Sequence, residues 1–217
     1  MKISNWLAKN LDENGLKQIR DAVTLAEKST AGEIVPMIVR GSSPLGHLNV
    51  LLFFILSACF EFCYFAIAKK IGFEFSIETQ ATLVAGALLG AYLLAKLEVV
   101  QRNLTPKSDR VHNSLVRAEL EFHRSKIRST SAHTGVLLFV SMMERYAVVL
   151  ADEKVAEKLD PAIWNEVLQT LLNGLKAKDF AIGFAKAIDQ TGQIMGKHFP
   201  ASEHLQNDLP NDLQIRD

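Results

Sequence analysis

LNVLLFFILSACFEFCYFAIA (Leu48–Ala68) and, ten residues later, an apolar run from Thr79 to Leu97 that contains TLVAGALLGAYLLAKL (Thr82–Leu97) decide how this chain is organised. A bilayer core of roughly 30 Å needs about 20 mostly apolar residues of helix, and both runs approach that length. Inside hydrocarbon every backbone amide must pair within its own segment, so each run reads as a spanning helix. The connection, Lys69–Glu78, is too short for a domain, and the two helices form a hairpin whose ends return to one side. Two buried core helices of a soluble protein are the plainer alternative. Lys69 and Lys70 directly after the first run, with Arg40 and Arg102 outside the pair, favour the membrane.

Two features inside the hairpin stand out. Gly86 and Gly90 make a small-xxx-small pair beside Ala87, Ala91 and Ala95, which lets helix backbones approach closely in lipid, within the hairpin or between two copies. Glu61 is an ionisable group at membrane depth, where such groups are costly and point to function. It also lies two turns from Lys69 and Lys70, so protonation, a pair across the hairpin or an oligomer contact would account for it.

Outside the hairpin (taken as 45–101) about 150 residues remain, enough for one domain with its own core, split into 1–44 and 102–199 and followed by a polar tail at 200–217. Lysine plus arginine and aspartate plus glutamate stand at 24 each, a balance that gives no basic excess for nucleic acid. Cys59 and Cys63, the only cysteines, both fall in the first apolar run and form neither a disulfide framework nor a zinc motif. Met1–Gln18 has no apolar stretch resembling a signal peptide, so the N-terminus is expected in the cytosol and the hairpin returns the chain there. Arg40, Lys96, Arg102, Lys107 and Arg110 on the terminal ends agree with that orientation in a bacterial inner membrane.

Leu16, Ile19, Val23 and Ala26 recur at helical spacing behind Asp12, a candidate N-cap. Glu33–Arg40 (EIVPMIVR) is β-rich, and Pro36, which cannot donate to a ladder, marks it as an edge strand or a bulge. After the hairpin, Ser108 is placed to cap a helix to about Arg128 with Val111, Leu115, Ala118 and Phe122 as its apolar stripe. Arg110, Arg117 and Arg124 recur on another face, either solvated or set against anionic headgroups. Thr134–Ser141 and Tyr146–Leu150 read as an antiparallel hairpin whose first strand is covered on both faces. Asp160-Pro161 and Asp179 open two more helices, and the tail from Pro200 is expected to be loosely ordered. The order implies an α/β fold, a small mixed sheet flanked by helices and interrupted by the hairpin.

No phosphate-binding glycine loop, nucleophile elbow, HExxH or CxxC motif is present. Polar residues at strand ends remain as candidates: Glu33 before the first strand, Arg145 before the third and Asp152 after it. Each has a plain structural role open to it. Asp152, for instance, would cap a helix starting at Glu153.

With these residues in view, AGEIVPMIVRGSS (Ala31–Ser43), HTGVLLFVSMMERYAVVLAD (His133–Asp152) and the stretch Pro161–Pro200 resemble the TPM domain family. The name joins a thylakoid lumen protein, a photosystem II repair protein and a nematode receptor-associated membrane protein. The likeness is to a bacterial branch with two membrane helices inserted after the first strand. It implies a small mixed sheet flanked by helices. Some plant relatives are described as acid phosphatases with calcium near the sheet's end, usually behind an acidic or polar residue before the GVLL strand. This chain has His133-Thr134 there, and the resemblance carries over only Glu33 and Asp152. The expectation is a non-enzymatic, membrane-anchored interaction or quality-control module for a membrane-protein partner. The alternative is a phosphatase at the inner leaflet, which would require calcium or magnesium.

Overall fold

The computed structural model describes residues 4, 6–43, 46–72, 76–130, 133–201 and 208–217. Parts of the expected lead into the hairpin (44–45), of its connection (73–75) and of the tail (202–207) lie outside them. The chain divides into two units, Met1–Ser42 with Val111–Asp217, and Ser43–Arg110.

The first unit is built on four strands, β1 (Ile34–Val39), β2 (Val136–Ser141), β3 (Tyr146–Ala151) and β4 (Gln214–Arg216), in the order β3-β2-β1-β4. β1 runs parallel to both β2 and β4, and β2 pairs antiparallel with β3. Every residue of β1 and β2 is buried, which accounts for their nearly continuous apolar sequence. The alternation of side chains sorts them onto two faces. Ile34, Ile38, Val136, Leu138 and Val140 join a core with three helices, α1 (Glu13–Glu27), α7 (Trp164–Lys176) and α8 (Phe180–His198). Val35, Met37, Val39, Leu137 and Phe139 join a second core with Ala118 and Phe122 of α5 (Lys107–Arg124) and with Ile127. The mixed sheet is therefore the middle of three layers.

Local chemistry sets the helix ends. Asp12 accepts from the Gly15 N–H at 2.7 Å, and Asp160 accepts from the Ala162 N–H at 2.8 Å to cap a 3-10 turn (Pro161–Ile163) that leads into α7. Asp179 accepts from the Ile182 N–H at 3.4 Å. α5 starts at Lys107 rather than behind a Ser108 cap and stops at Arg124, with Lys126 at φ 58° turning the chain. Its buried line is Ser114, Ala118, Glu121 and Phe122, whereas Val111, expected inside, is exposed. Glu121 tolerates burial because Arg117 (2.9 Å) and Arg124 (3.6 Å) close on it. Those arginines are thus turned to a carboxylate of their own helix.

Two expectations are corrected. β1 is an interior strand, not an edge. The Ile34 N–H is taken by Glu27 Oε1 at 2.9 Å and the Arg40 N–H by the Arg216 carbonyl at 3.0 Å, so its even-numbered backbone groups face away from β2. Pro36 falls on that side, just before Met37, where pairing with β4 begins. Its missing N–H costs no ladder bond. The second correction concerns the tail, whose last residues are ordered. Leu213 is buried, β4 adds to β1, the Trp6 indole N–H donates to Asp217 Oδ1 at 2.9 Å, and Arg20 meets Asp212 at 2.5 Å.

The second unit holds α2 (Gly46–Ile71), α3 (Ile77–Ala95) and α4 (Glu98–Leu104). α2 and α3 are long and apolar enough to cross a membrane over Val50–Ile67 and Ile77–Ala95. Within this unit Ala91 and Ala95 are buried beside Leu52, while Phe54, Phe62 and Phe65 are exposed.

α7 and α8 touch through glycine. A Cβ on Gly174 would lie 2.3 Å from Gly183 Cα, a backbone atom that cannot step aside. Gly174→Ala is expected to lower the unfolding free energy by about 1–3 kcal/mol, as overpacking does. Denaturant unfolding of the full chain in detergent measures it. Gly41→Ala, whose Cβ would meet nothing nearer than 3.5 Å, should change little; equal midpoints for the two variants would refute the close approach.

Candidate functional site

Register decides which candidates meet. Ile34 pairs with Val136 and Val136 with Ala151, so Glu33 and Asp152 lie one residue beyond the strand ends on either side of Gly135. The Val136 N–H donates to the Glu33 carbonyl and the Asp152 N–H to the Gly135 carbonyl, both at 2.8 Å. Arg145 sits in the turn between β2 and β3, at the opposite end of the sheet. The three residues therefore do not form one site.

Asp152 caps α6 (Glu153–Lys158), with Oδ1 accepting from the Glu153 N–H at 2.8 Å. The residue is buried, and Oδ2 has no hydrogen-bond partner among the described residues; His133 Nδ1 stands 3.9 Å away. Glu33 Oε1 accepts from the Asp208 N–H at 3.0 Å, tying the start of β1 to the C-terminal segment.

Sequence reasoning missed Glu27, the neighbour that gives Glu33 its character. Glu27 ends α1, and its Oε1 accepts from the Ile34 N–H, seven residues on. Burial pushes its carboxyl up to about 8, against that hydrogen bond, and the charge of Glu33 adds to the rise. Burial raises Glu33 as well, against the hydrogen bond from Asp208. Nothing in the sequence distinguishes Glu27 from an ordinary helix-end glutamate, because only the chain reversal into β1 brings it beside Glu33.

The calcium that the resemblance implies takes six to eight oxygen ligands. Among the described residues no three His, Cys, Asp or Glu side chains converge as such a site would need. Glu33 and Asp152 each engage a backbone N–H through one oxygen, while the buried Glu33 Oε2 and Asp152 Oδ2 have no hydrogen-bond partner among the described residues. Two carboxylates supply too few of those ligands, so the described residues do not by themselves fit the ion.

In the hairpin, Glu61 is exposed on α2. An added Cβ on Gly86 would meet nothing within 4 Å, and one on Gly90 only Leu56 Cδ1 at 3.9 Å. The close line between α2 and α3 is thus carried by Ala91 and Ala95.

A layered mixed sheet with this strand order defines a class of small α/β domains, and known proteins share both the fold and part of the sequence pattern. The family model described as TPM domain matches residues 99–194. The fold is similar to the NMR structure of the BA42 protein from the psychrophilic bacterium Bizionia argentinensis. The TM-score is 0.59 at 19% identity, over 99% of this chain and 98% of that one. No curated protein matches the chain.

The carboxyl pair gives stability a pH dependence of known sign. Glu27 holds its proton more tightly in the folded state (about 8) than at its ordinary value of 4.5. Its contribution is full below that ordinary value and is lost as pH rises through about 8. Unfolding free energy measured from about pH 5 to about pH 9 should fall, and Glu27→Gln should flatten the decline. A slope unchanged in Glu27→Gln would show that Glu27 does not set it.

Proposed function

We propose that this is a membrane-anchored TPM-domain protein that acts as a non-enzymatic interaction or quality-control module for a membrane protein. The observation that carries the reading is the exposed apolar surface of α2 and α3 in the same chain as the domain. In water that surface would be a large unsatisfied patch; in a bilayer it needs no cover. In this reading the hairpin spans a bacterial inner membrane, both termini face the cytosol, and the basic residues around Arg40 and Arg102 lie at the inner leaflet. The open face carrying Gly86 is left for a partner helix or a second copy.

One oxygen of each candidate acid has a structural role, Glu33 holding the C-terminal segment and Asp152 a helix end, which favours the non-enzymatic reading. Purified full chain given p-nitrophenyl phosphate with calcium or magnesium should release product no faster than the Asp152→Ala variant. Turnover present in the parent and lost in that variant would establish the phosphatase alternative. Carbonate-washed membranes should keep the chain until detergent is added, and release by carbonate alone would remove the anchor.

A further inference from the structure

At the end of the sheet away from Glu33 and Asp152, an open cleft of about 450 Å³ lies in the domain. Its volume falls within the range of small-molecule sites, roughly 300–1,000 Å³. The floor is apolar: Val140 and Phe180 are buried, and Met142, Leu172 and Leu175 complete it. Three cations line it, Arg145 from the β2–β3 turn with Lys176 and Lys178 from the end of α7 and the turn after it. All three are exposed, and none makes an ion pair among the described residues. No carboxylate is among the described residues that line the cleft. The nearby Glu144 is buried and accepts from the Ser141 hydroxyl at 2.5 Å and the Ser42 N–H at 3.0 Å.

The backbone adds a second observation. Arg145 (φ 53°) and Lys178 (φ 61°) both occupy the left-handed region, where glycine or asparagine is the easier choice. Lys126 (φ 58°) and His133 (φ 55°), away from the cleft, share that conformation, so here it fixes where the two cations sit. Converging positive charge over an apolar floor, with Asn10 and Tyr146 as neutral polar groups, matches a ligand that has an apolar body and an anionic head. We propose that this cleft binds a small amphipathic organic anion through Arg145, Lys176 and Lys178. The site does not depend on the anchoring role, since every residue that lines it belongs to the domain.

Naphthalene-2-sulfonate is a suitable probe, titrated by calorimetry into the full chain in phosphatidylcholine nanodiscs, with empty nanodiscs as reference. The uncharged 2-naphthol should bind on the order of tenfold more weakly, as should the sulfonate to the triple variant Arg145→Gln, Lys176→Gln, Lys178→Gln. Leu172→Trp, which fills the cleft and leaves the charges, should weaken binding at least as much, whereas Lys17→Gln on α1 should not. Equal affinity for the neutral probe, or undiminished binding by either cleft variant, would overturn the assignment. Repeating the titration with phosphatidylglycerol in the disc separates ligand sources. Unchanged affinity keeps the site for soluble anions; loss of the sulfonate signal would give it to a lipid headgroup and overturn the soluble-ligand proposal.

Discussion

The parallel pairing of β1 with β2 is the constraint on which the rest depends. Parallel neighbours cannot be joined by a tight turn and need a crossover of a dozen residues or more. Here everything from Val39 to Val136 is that crossover, and it holds both long apolar helices as well as α5. The hairpin therefore interrupts the domain in sequence without interrupting its sheet. The same pairing buries both strands on two faces, which requires helices on each side, and α1, α7 and α8 cover one while α5 covers the other.

Register along that pair also sorts the candidate residues, although Glu144, buried in the same turn as Arg145, is a carboxylate at the basic end. At one end lie three carboxyls, Glu27 with Glu33 and, across Gly135, Asp152; at the other lie Arg145 and two lysines, Lys176 that ends α7 and Lys178 in the turn after it. Each carboxyl at the acidic end spends one oxygen on structure. Glu27 stitches α1 to β1, Glu33 holds the segment that leads into β4, and Asp152 starts α6. The basic end has no such internal partners among the described residues, and this asymmetry makes it the better place for a ligand.

Much of this was legible in the residues. Apolar runs and caps located three strands and the main helices, because burial on two faces leaves a continuous signal in β1 and β2, and Asp12, Asp160 and Asp179 mark helix starts. Pro36 misled, since one missing donor looks alike on an edge strand and on an interior strand whose second neighbour begins one residue later. β4 escaped because three residues carry no usable period, and what orders them is remote: Trp6, Arg20 and the Arg40 N–H. Of the three candidate site residues, the sequence located each at a strand end but not which end they shared, a property of register. Lys176 and Lys178 stand some thirty residues from Arg145, and only the packing of α7 against the sheet brings them together.

Cys59 and Cys63, both exposed on α2 within Val50–Ile67, offer the most direct test that lipid covers the apolar surface of the hairpin. Membrane vesicles holding the full chain would be opened without dissolving the bilayer, so that both aqueous faces are reached, and treated with a charged, water-soluble maleimide. If the helices span the bilayer, neither thiol is labelled until denaturing detergent is added, and both are labelled afterwards. Labelling of either cysteine in the undissolved vesicles, at the rate seen in detergent, would place that helix in water and contradict the anchor.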